Sequence, residues 1–145
     1  MATSNAETQE RQGRCHCGAV RFRVTLTEDL ASARRCNCSY CGMRGAVALS
    51  APLGHFSLTV GADKLSRYRF NTGAAAHYSW SVCGIYTHHQ RRSNPDQYGI
   101  NAACLEGVGP FDFAAVEVFD GVNHVRDMGP DAKPRRVGVL RFERD

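Results

Sequence analysis

Gly13-Arg14-Cys15-His16-Cys17-Gly18-Ala19-Val20-Arg21-Phe22-Arg23-Val24-Thr25 sets the character of this chain. Val20, Phe22 and Val24 alternate with Arg21, Arg23 and Thr25, the period-two signature of a half-buried strand. The strand leads away from two cysteines spaced i, i+2. In an extended segment such residues point to one face, so Cys15 and Cys17 aim two sulfurs the same way. The spacing recurs in Cys36-Asn37-Cys38-Ser39-Tyr40-Cys41-Gly42, where Cys41 returns through a short turn and three thiols converge from six consecutive residues. Cys83-Gly84 is a third, single occurrence, and Cys104 stands apart.

Spacing this close suits a metal better than disulfides. A disulfide needs a Cα separation and a dihedral that cysteines two apart on a strand rarely meet. The count of seven is odd, which argues further against a disulfide framework. Zinc takes thiolates at about 2.3 Å in a tetrahedron, which a compact loop can supply. Cys36, Cys38 and Cys41 offer three ligands with no fourth in their loop, the pattern of an open site. Cys104 alone reads as a small buried apolar residue.

Short strand-like segments follow at close intervals: 45–50, 56–60, 65–70, 77–80, 85–89, 98–104 and 137–142. No window holds a 3.6-residue apolar period over three turns. The best helix candidate, 110–119, reads equally as strand. Many short strands separated by turns predict an all-β fold. Residues 1–12 are expected to form a disordered leader and 13–145 a single domain, a length sufficient for its own core. The Gly-, Pro- and charge-rich stretch 120–136 is expected to be a long surface loop.

The net charge of +4, from 18 basic and 14 acidic residues, is spread in pairs such as Arg34-Arg35, Arg91-Arg92 and Arg135-Arg136. Such pairs usually form solvated surface, and nucleic-acid binding needs a denser basic stripe. No apolar run approaches the roughly 20 residues of a membrane span. The polar start shows no secretory h-region. A cytoplasmic protein with reduced cysteines is therefore expected.

Three segments together, Gly13-x-Cys15-x-Cys17-Gly18-x-Val20-x-Phe22, Cys36-x-Cys38-x-x-Cys41-Gly42 and Cys83-Gly84-Ile85-Tyr86-Thr87-His88-His89, resemble the glutathione-dependent formaldehyde-activating enzyme (GFA) family, also described as CENP-V/GFA domains. The likeness runs from about residue 13 to about residue 106. It implies a tent-like, all-β zinc-binding fold of short antiparallel strands with little helix. It also implies two zinc sites: a catalytic one on Cys36, Cys38 and Cys41, and a structural one on Cys15, Cys17 and Cys83. The fourth structural ligand would fall at position 80, where this chain has Trp80. An indole cannot ligate zinc, so the second site is expected to be weakened or empty, unless His77, His88 or Cys104 substitutes. On a strand, His16 faces away from its cysteine neighbours.

The implied activity is that of a carbon–sulfur lyase, an S-(hydroxymethyl)glutathione synthase that adds a glutathione thiolate to formaldehyde. Glutathione carries two carboxylates, which points to Arg44, Arg91 and Arg92, with His88 or His89 as a proton shuttle. His88 and His89 are adjacent, so at most one faces a common pocket. Tyr40 is expected to pack. Two other classes fit the same residues: a non-catalytic zinc module that binds a macromolecule, and an enzyme acting on another thiol and aldehyde pair.

Overall fold

The computed structural model describes residues 9–145, and the eight residues before them, most of the expected leader, lie outside it. Eleven strands and one short helix make up the regular structure among the described residues. They are β1 (Glu10–Arg14), β2 (Arg21–Thr25), β3 (Arg34–Cys36), α1 (Ser39–Arg44), β4 (Ala48–Pro52), β5 (Phe56–Val60), β6 (Ser66–Tyr68), β7 (Ala76–Trp80), β8 (Ile85–Gln90), β9 (Gln97–Asn101), β10 (Ala115–Phe119) and β11 (Arg136–Arg141). The fold is all-β. No helix among the described residues is long and apolar enough to cross a membrane.

The strands form two sheets, one of three strands in the order β1-β2-β5 and one of eight in the order β11-β10-β3-β4-β9-β8-β7-β6. Every pairing is antiparallel except β10 with β3, which is parallel. The alternation read in 20–25 is realised: Phe22 and Val24 are fully buried while Arg21 and Arg23 are exposed. They pack with Leu49, Ala51 and Ile100 of the larger sheet. Full burial of such side chains contributes about 1.5–3 kcal/mol each. The period-two rule then sends Ala48 and Ser50 of β4, Gly99 of β9 and His89 of β8 to the other face of the large sheet. That second face carries the site described below.

The sequence expectations differ from the structure in several places. Glu10, Arg11 and Gln12 belong to β1, paired with Thr25, Val24 and Arg23, so ordered structure begins before Gly13. Segment 110–119 is a 3₁₀ turn at Pro110–Asp112 followed by strand β10. Residues 102–104 leave β9 in a 3₁₀ turn, with the Asn101 side chain accepting from the Ala103 N–H. Cys15 and Cys17 do not share a strand. They flank a turn closed by Gly18 N–H to Cys15 C=O at 3.1 Å and Cys15 N–H to Val20 C=O at 3.0 Å. Gly18 sits there at φ +80°, a conformation that favours glycine.

Candidate metal centre and substrate cavity

The second cysteine group is built by a strand end and a helix start. Cys36 is the last residue of β3, and Cys38 is the N-cap of α1, its Sγ accepting from the Cys41 N–H at 3.3 Å. Cys41 lies on the first turn of the helix. The Cys38 N–H in turn donates to Cys36 Sγ at 3.4 Å, and Arg44 Nη2 donates to Cys41 Sγ at 3.4 Å. The three sulfurs lie within 4.8 Å of one another. Hydrogen bonds from Cys36 and then Cys41 draw the Cys38 thiol down to about 2, against the cost of burial and with help from the Cys41 and Tyr40 N–H groups. The Cys36 thiol is held up chiefly by its bond to Cys38, and that of Cys41 by Cys36 and then Cys38. The trio thus holds one thiolate readily, the form in which sulfur binds metal.

Cys15, Cys17 and Cys83 form the other group, again within 4.8 Å. The Cys15 and Cys17 sulfurs are 3.7 Å apart. Ligands 2.3 Å from a tetrahedral zinc would be separated by about 3.8 Å, so this spacing fits the metal. Cys15 is buried and Cys17 exposed. Burial opposes ionisation of Cys83, yet the Cys17 and Ile85 N–H groups and the neighbouring thiols bring it to about 7. No fourth ligand joins among the described residues. Trp80 offers only its backbone carbonyl to Cys83, at 3.9 Å. Cys104 Sγ donates to the Tyr86 carbonyl at 3.4 Å, and His77 and His88 pack elsewhere.

The Cys36 trio lies at a cavity of about 350 Å³. Its wall carries Arg34, Arg35, Arg44, Arg91 and Arg92, with His77, His89, His124 and one carboxylate, Asp120. Only one of these arginines, Arg92, is in an ion pair among the described residues, with Asp127 at 2.5 Å. The stretch 120–136 is the expected loop, but it closes the cavity instead of standing apart. Asn37 Oδ1, inside the cysteine motif, accepts from the N–H groups of Gly121 at 2.7 Å and Val122 at 3.2 Å. Gly121 lies so tightly on Cys36 Sγ and Cys38 Cβ that any side chain there would collide with them.

The expectation for His88 is corrected. On β8 it faces the interior, with its ring 4.4 Å from that of Phe56 and 5.1 Å from that of Tyr98. Burial pushes it down to about 3. The cavity receives His89, one residue on, because neighbours on a strand face opposite ways. His89 stacks on His77, with ring centres 5.2 Å apart, and bonds Tyr86 Oη through Nδ1 at 2.7 Å. Tyr40 packs against Tyr68, Phe70 and His77.

Sequence reasoning placed Arg34 on solvated surface. It lies instead deep beside the cavity, where burial and then the charge of Arg91 push its guanidinium down to about 10. The signal available was its i, i+2 spacing to Cys36, which puts both on one face of β3.

The sequence matches the family described as glutathione-dependent formaldehyde-activating enzyme over residues 10–119. Among solved structures it is similar to a Rhodobacter sphaeroides protein determined by structural genomics. The two share 51% identity and a TM-score of 0.72, over 74% of this chain and 98% of the other. With a family match across most of its length and both cysteine groups assembled within that span, the chain belongs to the glutathione-dependent formaldehyde-activating enzyme family.

Proposed function

We propose that this chain is a zinc-dependent carbon–sulfur lyase that interconverts glutathione and formaldehyde with S-(hydroxymethyl)glutathione. The observation that carries the reading is the three-thiol cluster of Cys36, Cys38 and Cys41 at a deep, arginine-lined cavity. Cys36, Cys38 and Cys41 would hold the zinc, leaving one position of a tetrahedron open. Bound there, zinc supplies an acceptor for a further sulfur and favours its thiolate form. The protein's own residues do the rest. The arginines draw in a ligand bearing carboxylates. Arg44 holds Cys41 and His77 in place. The 120–136 loop, pinned to Asn37, packs against the cluster through Gly121. A thiol and an aldehyde confined in this space react with a large proximity advantage. The glutathione thiol gives up its proton, its sulfur bonds to the formaldehyde carbon, the carbonyl π pair moves to oxygen, and one proton, balancing the one the thiol lost, completes the hydroxyl, with no net oxidation.

The concave cavity favours this reading over a macromolecule-binding module, because small ligands are taken in concave sites. All seven cysteines are free, which supports a reducing compartment such as the cytoplasm. Elemental analysis of freshly reduced protein tests the metal. About one zinc per chain is expected, or two if the Cys15 group also fills, and none would overturn the proposal.

A further inference from the structure

Two guanidinium groups meet at the cavity wall, and the attraction of Arg34 to Tyr86, Cys36 and Cys41 is outweighed by burial and by the charge of Arg91. Arg34 Nη1 donates to Ser50 Oγ at 2.6 Å and Arg91 Nη1 to the same oxygen at 3.2 Å. Arg34 Nη1 also reaches the Ser32 carbonyl at 3.3 Å, while Gln97 Oε1 and Ser93 Oγ, each 3.1 Å away, accept from Nη1 and Nη2 of Arg91. Every one of these acceptors is neutral. Among the described residues no carboxylate comes within ion-pair range of Arg34 or Arg91; Asp96 attracts Arg91 only from a greater distance. Among the described residues Nε and Nη2 of Arg34 meet no acceptor, yet they are not sealed in the interior.

Two partly desolvated like charges held on one serine repel each other and have lost hydration. A fold built for stability alone would separate them or supply an acid. Both instead line the cavity. Arg34 stands two residues before Cys36 on β3, Arg91 directly follows β8, and Ser50 is on β4, which lies between β3 and β8 in the sheet order.

We propose that Arg34 and Arg91, clamped on Ser50, form a carboxylate-binding subsite that anchors the thiol substrate while its sulfur reaches the cysteine cluster. This deepens the function proposed above and rests on it for the identity of that substrate, but not for the subsite itself. Paired guanidinium groups match the two oxygens of a carboxylate.

Calorimetric titration of the full-length, zinc-loaded chain tests the subsite, using succinate and S-methylglutathione, whose sulfur carries no ionisable proton. Both should bind the wild type. Arg34→Gln and Arg91→Gln should each weaken both by at least about tenfold, the usual range for a charge-assisted hydrogen bond. Arg67→Gln, on exposed β6, should change neither. S-methylglutathione with both carboxylates amidated should bind weakly and be indifferent to the Arg34 and Arg91 changes. If either glutamine variant fails to fold, Arg34→Lys and Arg91→Lys keep the charge, lose the fork, and should still weaken binding several-fold. Binding of succinate through these arginines, with S-methylglutathione ignored, would uphold the subsite and sink glutathione as the substrate. Wild-type binding of S-methylglutathione unaffected by all four substitutions would overturn the subsite and leave the glutathione reading standing. Failure of both probes to bind the wild type would overturn the subsite.

Discussion

Arg44 and His77 are joined by a hydrogen bond of 2.9 Å between Nη1 and Nδ1. A guanidinium only donates, so Nδ1 must accept and the imidazole proton lies on Nε2. Burial, then the charge of Arg44, pushes His77 down to about 4, so the ring stays neutral near pH 7. The same guanidinium sits 3.8 Å from the centre of the Tyr86 ring and donates to Cys41 Sγ. One side chain thus ties a cysteine of the cluster to the aromatic wall. Arg44→Ala should lower zinc affinity by about 10–100-fold, the usual cost of losing a group that orients a metal ligand. Competition with a chromogenic chelator measures it; unchanged affinity would mean that Arg44 does not support Cys41.

Gly121 gives a test of the loop. It lies against Cys36 and Cys38 with no room for a Cβ. Gly121→Ala should push the 120–136 loop outward or displace Cys36, lowering zinc affinity and raising the cluster's reactivity towards a thiol reagent. Labelling kinetics identical to wild type would show that the loop yields without disturbing the cluster.

At the other cysteine group the missing ligand can be restored. Trp80→Cys places a thiol three residues before Cys83, next to sulfurs already spaced for a tetrahedron. It should slow zinc loss to chelator and raise the Tm by several degrees, since about 1 kcal/mol is worth roughly 2–4 °C in a domain of this size. A zinc-loss rate and Tm equal to wild type would show that position 80 does not address a metal.

His88 carries a pH dependence of stability. Its pKa is about 3 when folded, through burial, against an ordinary value of about 6.5. The unfolded chain therefore takes up a proton below about pH 6.5 that the folded chain refuses until about pH 3. Stability is complete above the upper value and falls by up to about 1.4 kcal/mol per pH unit below it. The His88 ring stacks on that of Tyr78, 4.7 Å between centres, so His88→Phe keeps an aromatic ring there and removes the titrating group. Urea denaturation at pH 7.5 and 5.5 should show a smaller loss for the variant, and equal losses would refute the assignment.

Much of this was legible in the sequence. The alternation at 20–25, the cysteine spacing and the run of short strands each report a local geometry that the chain cannot avoid. What escaped was set by distant contacts. β3 is only Arg34–Cys36, too short to show a period, and exists because it pairs with β10, some eighty residues on. The six residues of α1 carry no amphipathic pattern, so in the sequence they read as a turn. Glu10, Arg11 and Gln12 are polar and gain strand order only by pairing with β2. The spacing rule correctly allowed only one of His88 and His89 into a pocket, yet it could not say which, because that depends on which face of the large sheet meets Phe56. Arg34 looked like surface because its charge was visible and its burial beside Ser50 was not.

The most direct test is the rate of S-(hydroxymethyl)glutathione formation, followed by NMR exchange between formaldehyde and glutathione with zinc-loaded protein. Serine is itself a good helix N-cap, so Cys38→Ser should keep α1 and the fold while removing a zinc ligand. Wild type should accelerate the exchange well above the spontaneous rate, and Cys38→Ser should lose more than about 100-fold of that acceleration. No acceleration by the metal-loaded wild type, or full acceleration by Cys38→Ser, would contradict a catalytic site built on Cys36, Cys38 and Cys41.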